Sequence, residues 1–85
     1  MTRGEEVRVI EKYDLFDINI KGEKGIYLST DKTTGKHLVY FSINGEYAEL
    51  PDDFIKRLDP GKVSLENQEF VDRIKTMKIT YAAED

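Results

Sequence analysis

The chain has 85 residues, carries 13 Lys or Arg against 17 Asp or Glu, and contains no cysteine. This length suits a single domain, and the missing cysteines exclude disulfides, thiolate metal ligands and iron–sulfur ligation by this chain alone. The net charge of −4 argues against a nucleic-acid-binding protein, because such binding usually needs a concentrated positive surface.

Other sequence features bear on cellular location. No apolar run approaches the length of a transmembrane helix, and residues 1–6 lack the hydrophobic stretch of a secretion signal. The lack of cysteine fits a reducing compartment. We therefore expect a cytoplasmic protein without a membrane span.

The first quarter of the chain predicts one strand and a long loop. Residues 7–10 alternate apolar with polar side chains and indicate a first strand. Residues 11–24 are charged, with scattered apolar side chains that do not keep a helical period. We interpret them as a loop anchored by its apolar members. The alternation in residues 16–20 leaves a short strand open as an alternative.

A hairpin is the strongest local prediction. Strands are expected at residues 26–30 and on both sides of Asn44-Gly45, the dipeptide that best tolerates a two-residue hairpin turn. Such a turn would pair Ile43 with Glu46, Phe41 with Ala48 and Val39 with Leu50. The expected core face then carries Val39, Phe41, Ala48 and Leu50, and the opposite face carries Tyr40 and Tyr47.

Two further elements complete the first predicted unit. Pro51 and the aspartates after it indicate a 3₁₀ turn with an aspartate bonded forward to the backbone, and residues 55–58 indicate a fifth strand. Residues 59–61 end this block. This order of short strands, a long first loop, a hairpin and a 3₁₀ turn resembles that of SH3-like barrels, which implies a mainly β fold with a small five-stranded SH3-like barrel over residues 1–58.

The last third of the chain predicts a helix. Ser64 is a good N-cap, and Leu65, Phe70, Ile74 and Met77 follow at near-helical spacing. We expect a helix over residues 64–77 and a last strand or docked tail at 78–81. Residues 59–85 would then form a C-terminal helix and tail packed on the barrel.

The turns and strands of residues 4–58 resemble those of a known group. Gly4-Glu5-Glu6-Val7-Arg8-Val9 resembles the Gly-x-x-Val-Arg-Val opening of small SH3-like subunits of photosynthetic redox complexes. Residues 16–26 and 38–41 are similar to segments of one such family, the variable chain of ferredoxin–thioredoxin reductase. The resemblance implies an SH3-like barrel that braces a separate chain, which carries the iron–sulfur cluster.

Candidate chemistry is sparse. His37 is the only histidine, and it lacks a catalytic pattern around it, so we interpret it as a polar strand residue. Asp52 and Asp53 are interpreted as turn-capping residues rather than as a metal or acid–base pair. We therefore expect no enzyme, no cofactor and no metal site.

Protein interaction is the function that the sequence favours. Tyrosines on a sheet face and an apolar helix stripe are typical of interfaces, although either can also be buried by the other. The candidate interaction residues are Tyr13, Tyr40, Tyr47, Phe70, Ile74 and Met77. We expect a non-catalytic subunit that scaffolds a protein partner, and the oligomeric state stays open.

One alternative function belongs to a different class. SH3-like modules of ribosomal and transcription proteins bind nucleic acid, and the fold would allow dispersed cations to meet in space. The cations considered for this alternative are Lys32, Lys36, Lys56, Arg57 and Lys62.

Overall fold

The structure is a computed structural model that describes the backbone of residues 1–76 and the side chains up to residue 74. The strands, in chain order, are β1 (Glu6–Val9), β2 (Asp14–Leu15), β3 (Ile18–Asn19), β4 (Lys24–Thr30), β5 (His37–Phe41), β6 (Glu46–Leu50) and β7 (Ile55–Arg57). A 3₁₀ turn (Asp52–Phe54) precedes β7, and helix α1 (Leu65–Thr76) follows it. The tail predicted at residues 78–81 and Met77 lie outside the described residues.

Five strands form one antiparallel sheet in the order β6-β5-β4-β1-β7. The predicted mainly β fold with a C-terminal helix is confirmed. The predicted closure into a barrel is wrong, because β6 and β7 are the two outer strands and no pairing joins them in the described part of the chain. The 3₁₀ turn separates these strands, and the three residues of β7 pair with β1 instead.

The segment interpreted as a long loop contains a second, two-stranded sheet. Strands β2 and β3 pair Leu15 with Ile18, so only Phe16 and Asp17 form the turn. Both turn residues have positive φ, at 51° and 71°. Sequence reasoning assigned this turn geometry to Asn-Gly, and a Phe-Asp turn was missed because Phe rarely adopts positive φ.

The register of the β5–β6 hairpin differs from the prediction by two residues. Phe41 pairs with Glu46, and a four-residue loop replaces the two-residue turn. Asn44 explains the longer loop: its side chain accepts the Glu46 N–H and donates to the Leu15 carbonyl. Because side chains alternate with a period of two, this shift leaves every residue on its predicted face.

Each face of the sheet carries a buried apolar cluster. On the inner face, the core combines residues of the five-stranded sheet with Leu15 and Ile20 from the segment that contains β2 and β3. On the outer face, Val71 of α1 joins Leu28 and Leu38 in a separate buried cluster. The helix therefore packs on the sheet of its own chain. No helix in the described residues is long and apolar enough to cross a membrane.

The start of the helix agrees with its prediction. The Ser64 hydroxyl accepts the Asn67 N–H at 3.1 Å, the hydrogen bond expected of an N-cap. The Asn67 side chain in turn donates to the Gly4 carbonyl at 3.0 Å. This buried bond connects the helix to the chain segment just before β1.

A buried carboxylate links the N-terminal segment to β7. Glu5 is fully buried, and it accepts two hydrogen bonds from Arg57, at 2.9 and 2.7 Å, and one from the Thr2 N–H. The side-chain hydrogen bond from Arg57 is the main cause that lowers the Glu5 pKa from 4.5 to about 2, against the opposing effect of burial. The ionised form of Glu5 therefore stabilises the fold.

Substitution Glu5→Gln should lower the free energy of unfolding at neutral pH by about 2 kcal/mol, a value that allows for the partial exposure of Arg57 to water. Because the folded-state pKa is depressed, this contribution is complete above the unfolded value of 4.5 and is lost as pH falls towards 2. Urea unfolding across this pH range measures the effect. Glu11→Gln, at an exposed position, is the control. If the free energy of unfolding of Glu5→Gln fell between pH 4.5 and pH 2 as much as that of the unsubstituted protein, Glu5 would not be the group that stabilises the fold in this range.

Candidate functional site

Three aromatic rings meet where the helix lies on the outer face of the sheet. Tyr40 on β5 pairs directly with Tyr47 on β6, and their ring centroids are 5.2 Å apart. Phe70 of the helix stacks on Tyr40 at 4.4 Å with an interplanar angle of 30°. We call Tyr40, Tyr47 and Phe70 the aromatic seam.

The aromatic seam is only half-buried. All three rings keep partial exposure although they pack against the outer core, and Ile74 on the next helical turn has the same environment. The Arg73 guanidinium lies 6.0 Å from the Phe70 ring centroid, at the limit of a cation–π contact. A partly exposed aromatic cluster with an adjacent arginine has the composition that is enriched in protein interfaces.

A cavity of about 280 Å³ opens beside the aromatic seam, between the helix and strands β1 and β4. Ile26, Tyr40 and Phe70 supply its apolar wall. Its polar lining comes from Glu6, Lys24, Ser42, Glu66, Asn67 and Arg73. The cavity thus joins an aromatic wall to charges of both signs.

The structure brings together four of the six candidate interaction residues. Tyr40, Tyr47, Phe70 and Ile74 belong to one cluster on the outer face. Tyr13 lies elsewhere: it packs against the inner core and meets Phe54 edge-on at 6.4 Å. The sixth candidate, Met77, falls outside the described residues.

His37 belongs to a hydrogen-bonded chain that sequence reasoning did not find. Its Nδ1 contacts the Thr30 hydroxyl at 2.8 Å, and its Nε2 contacts the Asp52 carboxylate at 2.8 Å. Thr30 also bonds the Tyr27 hydroxyl. The buried ring thereby connects the ends of β4 and β5 to the 3₁₀ turn.

The hydrogen bond between His37 and Asp52 also corrects the prediction that Asp52 caps the turn. The 3₁₀ turn has no side-chain cap at its start, and the Asp52 carboxylate binds His37 across 15 residues instead. No short sequence pattern signals such a contact, because it depends on the fold of β5 and β6. The arrangement orders the turn, and the cavity beside the aromatic seam is not lined by any of its four residues.

Comparisons with known proteins do not place this chain in a family. Neither protein-family models, nor curated proteins, nor solved structures give a match to the chain. Within residues 1–76, no group of three or more His, Cys, Asp or Glu side chains is placed to hold a metal ion.

Substitution Phe70→Ala should lower the free energy of unfolding by about 1–2 kcal/mol, less than for a fully buried ring because Phe70 keeps partial exposure. The loss arises from the contacts with Tyr40 and the outer core. Thermal unfolding followed by circular dichroism gives the value. Leu65→Ala, on the same helix at 77 % exposure, should change it by less than about 0.5 kcal/mol. If Phe70→Ala and Leu65→Ala lowered the free energy of unfolding equally, the contact between Phe70 and Tyr40 would not stabilise the fold.

Proposed function

We propose that this protein is a non-catalytic interaction module that binds a partner protein through the aromatic seam and the cavity beside it. The observation that carries the proposal is the half-buried state of Tyr40, Tyr47 and Phe70. These rings are already ordered by stacking, so a partner would gain contact area with little additional loss of side-chain entropy.

The resemblance noted in the sequence supports a finer form of this proposal. The long excursion after β1, the β5–β6 hairpin and the 3₁₀ turn before β7 follow the element order of SH3-like proteins. In the redox complexes whose small subunits this sequence resembles, such a subunit braces a separate iron–sulfur chain. We propose the same class of partner, in the cytoplasm, for this protein.

The nucleic-acid alternative receives less support. Of the five cations considered for it, Arg57 is engaged by the buried Glu5 carboxylate through two hydrogen bonds. The chain also keeps its net charge of −4, which repels a polyanion at long range. Binding to DNA or RNA at low ionic strength would restore this alternative.

Photo-crosslinking in native cells tests the proposed interface. A benzophenone side chain is introduced at Ser42, which is exposed and lines the cavity beside Tyr40. We expect it to capture a cysteine-bearing protein, identified by mass spectrometry. The same group at Thr33, an exposed position on the β4–β5 loop, is the matched control.

Two outcomes would contradict the proposal. Capture of the same proteins from Ser42 and Thr33 would show that contact is not specific to the cavity. The absence of any crosslink at Ser42, together with a monomeric protein in native extracts, would show that no partner is held there.

A further inference from the structure

Three cations lie side by side across β4, β1 and the edge strand β7. Arg8 on β1 pairs with Lys24 on β4 and with Lys56 on β7. Directly opposed residues in an antiparallel ladder have Cβ atoms about 4.5–5.5 Å apart, and their side chains project from the same face. We call Arg8, Lys24 and Lys56 the cationic row.

The cationic row lies on the outer face. Val7 and Val9, the neighbours of Arg8 along β1, are buried in the inner core, so alternation directs Arg8 to the opposite side. Lys24 and Lys56 are exposed and Arg8 is half-buried. The helix packs against apolar and aromatic residues of β4, β5 and β6 on this face, and no member of the row belongs to that cluster.

This arrangement opposes folding. Like charges directly across a ladder repel each other and destabilise the sheet. Arg8 donates to the Gly22 carbonyl at 2.8 Å, but none of the three side chains forms an ion pair with another residue of the described segment. Two carboxylates on this side are Glu6, two residues before Arg8 on β1, and Glu66, which lines the cavity with Lys24. Among the described residues of a chain with excess acid, these three adjacent cations thus lack ion pairs.

The cationic row is continuous with the aromatic seam. Ile26 follows Lys24 on the same face and pairs with Tyr40, so the row and the seam occupy neighbouring positions on the sheet. Lys24 and Arg73 line the same cavity as Tyr40 and Phe70. Protein-binding surfaces usually combine aromatic side chains with adjacent charges that a partner can neutralise.

We propose that the cationic row and the aromatic seam form one docking surface for an acidic protein segment, whose Asp or Glu side chains pair with the row. This inference rests on the proposed function and specifies the chemistry of the partner. A protein segment fits better than nucleic acid, because three strands at a spacing of about 4.8 Å confine the positive charge to roughly 10 Å. The net negative charge outside this patch would also repel an extended polyanion.

The test measures binding of a defined acidic probe. A fluorescein-labelled polyglutamate peptide of about eight residues is titrated with the protein at low ionic strength, and fluorescence anisotropy reports the Kd. Lys56→Glu should weaken binding about fivefold or more. Lys32→Glu makes the same change in net charge on the β4–β5 loop, and it should change the Kd by less than about twofold.

The Tm distinguishes a variant that has lost the binding site from a variant that no longer folds. Lys56→Glu places an opposite charge across from Arg8, so its Tm should equal or exceed that of the unsubstituted protein. Weakened binding with an unchanged or raised Tm supports the docking surface. A lowered Tm would contradict the repulsion assigned to the row.

Three binding results would overturn the inference. The first is that the peptide does not bind, and the second is that Lys56→Glu and Lys32→Glu weaken its binding equally. The third is that a single-stranded DNA oligonucleotide binds more tightly than the peptide and that Lys56→Glu abolishes this DNA binding. The inference and the proposed function fail separately. If the crosslink at Ser42 captures a specific protein while the peptide does not bind, only the acidic character of the partner is wrong.

Discussion

The unequal covering of the two sheet faces is the constraint on which the rest of the structure depends. Alternation along five antiparallel strands sends one set of side chains inward, where the segment carrying β2 and β3 helps to complete the core. Within residues 1–76, the other set is covered by one helix of 12 residues. That helix covers the strands β4, β5 and β6, where apolar side chains and tyrosines face outward. In the described residues, Arg8 of β1 and Lys56 of β7 face outward beside this apolar and aromatic cluster without belonging to it, and this division produces the candidate site.

Contacts near the N-terminus fix where the helix lies. A side chain at Gly4 would place its Cβ 2.7 Å from Val63, so the chain before the helix approaches β1 closely only because Gly4 has no side chain. Asn67 then bonds the Gly4 carbonyl, and the neighbouring Glu5 binds Arg57. These contacts join β1, β7 and the start of the helix into one corner of the fold. The aromatic seam depends on this corner, because it sets which helical residues reach Tyr40.

The sequence predicts local elements well and long-range contacts poorly. Period-two alternation identifies the buried face of the β5–β6 hairpin, and Ser64 identifies the helix start, because both signals are local. Barrel closure, the Phe16-Asp17 turn and the contact between His37 and Asp52 depend on how distant segments meet, so no short pattern announces them. The cationic row was missed for the same reason: Arg8, Lys24 and Lys56 become neighbours only through strand register.

The proposed protein interaction depends on a sheet face that α1 covers only in part within the described residues. Nuclear Overhauser spectroscopy on the protein in solution tests most directly which part of the outer face the helix contacts. We expect cross-peaks between the Phe70 and Tyr40 rings, and none between helix side chains and Lys56. Missing Phe70–Tyr40 cross-peaks, or contacts from the helix to Lys56, would show that α1 does not divide the outer face as described.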